Sequence, residues 1–387
     1  MWQDILEQVN HQFNEMVEMR RYLHQHPELS FQEFETVKFI KNFYQKLALP
    51  YQAPVGENGV VARLEGGKPG KTIAIRADFD ALPIQDQKDV PYRSKKDGVM
   101  HACGHDGHTT ILLTLAKLLK QYQNQLAGNF VFIHQHAEEL TPGGAKSIIE
   151  AGALDDVDVI FGTHLWTGAP LGTVQTAPSR FMAGADKFKI TIYGQGGHGA
   201  MPHQTKDAVV IGSQLVNNLQ QIVSRRLNPL DTAVLTIGKF QAGDAFNIIA
   251  DQAILDGTVR TFDPIMQDQM IKEMEAIIAG TCQSYQVDFD FDYIKGYPPV
   301  INHQQEAELV LKAAQQVPEV QTATFVKPTM TAEDFSYYLL ERPGAFFFTG
   351  AQQTGQNYPH HHPKFDFDEQ AMRIAVKTFL KLIEAYQ

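Results

Sequence analysis

The chain has 387 residues, 43% hydrophobic and 20% charged, a balance typical of folded globular protein and unlike that of a disordered chain. Its length is large for one hydrophobic core, so two domains are expected. A formal charge of −11 disfavours nucleic acid as a partner, because phosphate binding needs a basic face, and no run reaches the roughly 18 apolar residues of a membrane span.

In chain order, Ile5, Val9, Phe13, Met16, Met19 and Leu23 recur at helical spacing over residues 3–25, and residues 34–47 carry a second helical pattern. Strands are predicted at 59–64 and 72–77, followed by a helix rich in Leu and Ala over 109–122. Residues 129–136 and 157–162 read as buried strands, the second ending at Thr163 and His164, and a further apolar run covers 345–348. This alternation predicts an α/β sheet flanked by helices. Residues 185–299 read differently: a half-exposed strand at 187–193, a helix at 208–223, strands from 232 and 253, a helix at 265–284 and a last strand from 287. That β-α-β-β-α-β order is the one of a ferredoxin-like split unit. The predicted division is therefore 1–184 with 300–387, interrupted by 185–299, with Gly184 and Pro298-Pro299 at the joints. The first residues, Met1-Trp-Gln-Asp-Ile-Leu-Glu-Gln, show no basic region followed by an apolar core. A cytoplasmic location is expected, where a free thiolate survives.

The segment His101-Ala-Cys-Gly-His-Asp-Gly-His108 sets three imidazoles, a thiol and a carboxylate in eight residues, a density that a packed core does not require. Cys103 is one of only two cysteines, and its distant counterpart Cys282 lies in a helix-like stretch, so no disulfide framework is implied. Zinc, manganese, cobalt and nickel all accept thiolate, imidazole and carboxylate together. Further ligand candidates follow where strands are expected to end: Glu138-Glu139, His164, and the cluster Tyr358-Pro-His-His-His-Pro-Lys-Phe365. Neighbouring side chains at a strand end point opposite ways, so one glutamate of the pair could bind metal while the other handles protons. The plainer reading of that pair is a solvated acidic turn before Pro142. Several such groups at strand ends suggest one crevice, because open α/β sheets bind ligands beyond the carboxyl ends of their strands.

The strings RADFDALP (76–83), HACGHDGH (101–108), HAEE (136–139), THLW (163–166), GGHGAMPH (196–203), NIIADQAILDGTVRT (247–261), AEDFSYY (332–338) and HHPKFDFDE (361–369) follow one another in this order. Together they resemble the M20 metallopeptidase family, and most closely its amidohydrolase branch of N-acyl-amino-acid deacylases, hippurate hydrolases and hydrolases of auxin conjugates. The resemblance implies an α/β catalytic domain interrupted by an α+β lid and dimerisation domain, two divalent ions per subunit, and a homodimer. It also implies the roles of residues. Cys103, His105, Glu139, His164 and His361 would be metal ligands, with Cys103 bridging the two ions. Glu138 would be the general base and Asp80 would orient a ligand, with His105 its expected partner. In the inserted domain, His198 would stabilise the oxyanion across the dimer interface, and Asn247 and Arg260 would hold the substrate's α-carboxylate. Asp78 stands where many members of the family have a ligating histidine, which leaves it without an assigned task. The implied reaction is hydrolysis of N-acyl-amino acids; the alternatives are a dipeptidase or N-acetyl-diaminopimelate deacetylase with the same dimetal site, and a metal-binding regulator without catalysis.

Overall fold

The computed structural model describes residues 1–355 and 357–387. They pack as two units, one made of Met1–Phe181, Val300–Pro328 and Asp334–Gln387, the other of Met182–Pro299 and Thr329–Glu333. Among the described residues, no helix is long and apolar enough to cross a membrane.

The first unit is built on an eight-stranded sheet. Its order is Tyr51–Val55, Gly59–Glu65, Ala127–Gln135, Lys68–Asp78, Val159–Pro170, Gly344–Gln352, Thr173–Thr176 and Thr322–Phe325. The four middle strands, from Ala127–Gln135 to Gly344–Gln352, run parallel. Parallel strands are covered on both faces and read as unbroken apolar runs, and Phe130, Val131, Phe132 and Ile133 are all buried. Helices Trp2–Gln25, His105–Gln121 and Gln370–Glu384 pack on one another, and Ile5, Val9, Leu112, Leu119, Phe379 and Leu380 join one core with the sheet residues Phe130 and Phe347. Because the middle strands are parallel, their carboxyl ends deliver Phe79-Asp80 and His136-Ala-Glu138-Glu139 to one side.

Several elements differ from what the sequence predicts. The helix predicted over 109–122 begins at His105, four residues before Thr109, behind Gly104 in a left-handed conformation (φ +96°) that the missing side chain permits. The strand predicted to end at Gly162 runs on to Pro170, so His164 lies within it, paired with Phe348, and not beyond its end. The helices Gln304–Ala314 and Gln370–Glu384 had no counterpart in the sequence reading.

The second unit is a four-stranded antiparallel sheet in the order Val234–Ala242, Gln252–Thr261, Gly184–Tyr193 and Asp288–Tyr297, with helices Ala208–Gln221 and Pro264–Tyr285 packed on it. This is the ferredoxin-like order expected from the chain of elements. Asp207 caps the first helix by accepting from the Val209 and Val210 amides, and Asp263 before Pro264 caps the second through the Ile265 amide. Gly257 is required where two strands meet a ring, since a Cβ there would come within 2.2 Å of Phe188. The segment Thr329–Glu333 belongs with this unit because the Ala183 amide donates to the carbonyls of Thr329 and Thr331. The unit thus starts at Met182 and includes a short stretch beyond 299.

Candidate metal centre

Five side chains of the first unit converge beyond the sheet. The ligating atoms of Cys103, His105 and His164 lie within 4.8 Å of one another, and so do those of Cys103, Glu139 and His361. One sulfur belongs to both groups. Hydrogen bonds to the far side of each ring set which nitrogen faces the cluster. His105 donates from Nδ1 to the Asp80 carboxylate and carbonyl, both at 3.0 Å, which turns Nε2 inward. His164 donates from Nδ1 to the Leu165 carbonyl at 2.9 Å, and its Nε2 lies 3.3 Å from Cys103 Sγ. His361 Nε2 stands 3.2 Å from Glu139 Oε1.

The chemistry of this set fits divalent metal. Among the described residues, the buried His105 Nε2 has no hydrogen-bond partner, and the buried Glu139 Oε1 has only the His361 ring 3.2 Å away, a costly state for the imidazole nitrogen unless something else is bound there. One thiol, three imidazoles and one carboxylate are the donors that borderline metals accept. The field is cation-seeking. Burial draws the His105 imidazole down, but Asp78 and Asp80 outweigh it and bring it up to about 10. Burial together with Glu139, Glu138 and Asp78 pushes the Cys103 thiol up. The same carboxylates that hold a proton on His105 would hold a metal cation there, and the cation would in turn favour the thiolate.

Asp80 grips His105, the partner that the sequence suggests for it. Its other oxygen accepts from Ser30 Oγ at 2.7 Å and from the Glu139 amide at 3.0 Å, so one carboxylate fixes two ligand-bearing residues. Asp78 gains a task that the sequence left open. It accepts a hydrogen bond from His108 Nδ1 at 2.6 Å and pairs with Arg76 at 2.6 Å. His108 Nε2 accepts from the Leu165 amide at 2.9 Å, so both nitrogens of that ring are engaged in holding the strand next to His164. Glu138 is buried, with Oε2 3.9 Å from His105 Nε2. Two residues of the site, Ala137 (φ +54°) and His361 (φ +65°), are non-glycine residues in the left-handed region. Each carries strain of about 1–2 kcal/mol, the kind kept where position matters.

Residues without a distinct task in the sequence also find places. His134 lies 2.7 Å from Tyr44 Oη and 3.2 Å from Thr109 Oγ1, and is part of the core. His360 stacks on Trp166 at 4.7 Å, with Nε2 accepting from the Thr167 amide at 3.3 Å. Glu33 escaped the sequence reading altogether: its Oε1 accepts from the Ala137 amide at 2.9 Å, and its Oε2 from Asn58 at 3.1 Å. Its only signal is an acidic residue in the short polar link between two helical patterns.

His198, Asn247 and Arg260 lie in the second unit. The first two are neighbours there: His198 pairs with Ile248, and the Gly199 amide donates to the Asn247 carbonyl at 2.9 Å. The exposed His198 ring accepts the Ala200 amide at Nδ1, leaving Nε2 as its donor. Arg260 is half-buried on the strand Gln252–Thr261, where its guanidinium donates to Thr258 Oγ1 and to the Val259 carbonyl.

Residues 74–385 match the Peptidase family M20/M25/M40. The protein YhaA of Bacillus subtilis (strain 168) is 53% identical over 377 residues, covering 97% of this chain and 95% of that one. An N-acyl-L-amino acid amidohydrolase of Geobacillus stearothermophilus is 46% identical over 291 residues, covering 75% of this chain and 79% of its own. Among solved structures, the YXEP protein of Bacillus subtilis, described as a dinuclear metal-binding peptidase from the M20 family, superposes with a TM-score of 0.83 at 35% identity, covering 97% of this chain and 98% of that one.

Proposed function

We propose, from the premise that this chain belongs to the Peptidase family M20/M25/M40, that it is a metal-dependent amidohydrolase cleaving N-acyl-amino acids into a carboxylic acid and a free amino acid. The observation that carries the reading is the sulfur of Cys103 shared between two groups of possible ligands, next to the unpartnered Nε2 of His105. Cys103, His105 and His164 would hold one divalent ion and Cys103, Glu139 and His361 the other; when bound, two such ions polarise a carbonyl and make water easier to deprotonate. Zinc, manganese, cobalt and nickel all suit the donors.

Glu138 is the general base in this account. It takes a proton from the attacking water as the oxygen–carbon bond forms, and returns it to the nitrogen as the carbon–nitrogen bond breaks. Its neighbour Glu139 stands against His361 as well as His105, so in this account the two carboxylates divide the work. Asp80 and Asp78 hold the scaffold: one grips His105 and the Glu139 amide, the other His108. His198 would donate from Nε2 to the oxyanion in a homodimer, reaching the partner's site, and Asn247 and Arg260 would hold the substrate's α-carboxylate. A cytoplasmic setting suits an enzyme that must keep Cys103 as a free thiol.

A panel of N-acyl-amino acids tests the reading. Hydrolysis of at least one member is expected, lost on chelation and recovered with one of the four metals. Absence of turnover with every substrate and metal would instead indicate a metal-binding protein without catalysis.

A further inference from the structure

We propose that Glu33 is a positioning residue for catalysis, one jaw of a clamp that fixes the backbone on either side of Glu138. The proposal rests on the reading of Glu138 as the general base.

The two peptide N–H groups flanking that residue are each held by a buried carboxyl. Glu33 Oε1 accepts from the Ala137 amide at 2.9 Å, and Asp80 Oδ2 accepts from the Glu139 amide at 3.0 Å. Both jaws are steadied by the same short link between the first two helices. Ser30 in that link donates to Asp80 Oδ2 at 2.7 Å, and Glu33 itself stands at its end, aimed by Asn58 at 3.1 Å. The clamp has something to hold. Ala137 carries φ +54°, a conformation that alanine abandons readily when its amide is released. Relaxation there would rotate the peptide plane into Glu138 and turn both glutamates away from their directions. Glu33 touches no atom proposed to react. Its effect would pass through the backbone, and small displacements of a catalytic group are enough to cost large factors in rate.

Reach and charge separate cleanly. A carboxyl accepts an N–H whether or not it is ionised, and so does the amide oxygen of glutamine. Glu33→Gln therefore keeps the clamp without the charge, whereas Glu33→Asp keeps the charge but falls short by one methylene. On the metal-loaded enzyme, Glu33→Asp is expected to lower kcat by roughly tenfold to a hundredfold with little change in KM, and Glu33→Gln to restore most of that loss. Hydrogen exchange supplies a readout independent of turnover: the Ala137 amide should exchange at least about tenfold faster in Glu33→Asp than in Glu33→Gln, in metal-free as in loaded protein. Should Glu33→Asp not fold, Asn58→Ala, which removes the half-buried donor that aims Glu33, is expected to lower kcat and speed the same exchange.

The reverse order, with the aspartate variant active and the glutamine variant impaired, overturns the proposal. So does unchanged exchange at Ala137 in both Glu33→Asp and Asn58→Ala. Glu138→Gln run alongside keeps two failures apart. If it retains turnover, the general-base reading falls; if it is inactive while Glu33→Asp turns over normally, only the clamp falls.

Discussion

Glu138 and Glu139 differ by what surrounds them, and the difference is testable one residue at a time. Both carboxylates approach His105 Nε2 to 3.9 Å, but Glu139 Oε1 also stands 3.2 Å from His361 Nε2, whereas Glu138 is the more deeply buried of the two. Glu138→Gln removes a proton acceptor and keeps its volume, so kcat is expected to fall by roughly a hundredfold or more with metal content unchanged, as measured by turnover and elemental analysis together. Metal lost in step with activity would make Glu138 a ligand. Glu33 offers a second test through pH. Burial, aided by Asp80, pushes its carboxyl up to about 7 from the usual 4.5. Between those values the unfolded chain has released a proton that the folded chain retains, so this residue's contribution to stability falls as pH rises from 4.5 and is gone above about 7. Denaturant unfolding of parent and Glu33→Gln should therefore show the parent losing on the order of 2–3 kcal/mol relative to the variant between about pH 5 and pH 8. A constant difference would contradict a raised carboxyl. At this scale the candidate ligands that the structure brings together were legible in the sequence because Cys103, His105 and Glu139 sit in dense, unusual strings. Glu33 was not, because its meaning lies in the amide of Ala137, 104 positions away.

At the scale of elements, the helix His105–Gln121 carries a proposed metal ligand in its first turn, and its seat is tight. A Cβ on Gly107 would lie 2.5 Å from Leu165 Cδ1 and 2.7 Å from Phe367 Cζ. Gly107→Ala is expected to cost about 1–3 kcal/mol of stability by overpacking, and to weaken metal binding because the shift falls between His105 and the strand of His164. Thermal unfolding with and without metal measures both effects; unchanged stability would mean that the contact yields freely. The reading of elements failed where chemistry and periodicity overlapped. His105 and Asp106 look like loop residues, so the helix start was placed at Thr109, yet both are buried, Asp106 by its ion pair to Arg20 at 2.9 Å. The strand through His164 looks finished at Gly162 because Thr163 and His164 are polar, whereas the Thr163 hydroxyl donates to the Phe347 carbonyl and His164 Nδ1 to the Leu165 carbonyl, so both are satisfied in place.

For the whole molecule, the interrupted order was legible because strand and helix patterns change character between about 185 and 299, and the parallel sheet then dictates which loops meet. Partnership between chains is the part that extends beyond one copy. If His198 completes the partner's site, mixing Glu138→Gln with His198→Ala rebuilds one intact site of two in each heterodimer, so purified heterodimers are expected to show about half of parental activity while both parents show almost none. Heterodimers as inactive as their parents would place His198 in its own subunit's site or outside catalysis.

The central claim is that two ions share the sulfur of Cys103 and that hydrolysis depends on them. Titrating metal-free protein with cobalt or zinc, while following bound metal and hydrolysis of an N-acyl-amino acid in the same samples, tests it most directly. Two ions per subunit are expected in the parent, with activity rising as they bind, and weakened binding of at least one ion with loss of activity in Cys103→Ser, because a serine hydroxyl resists deprotonation. Hydrolysis by the metal-free protein, or a Cys103→Ser variant that binds two ions and retains full activity, would contradict the claim.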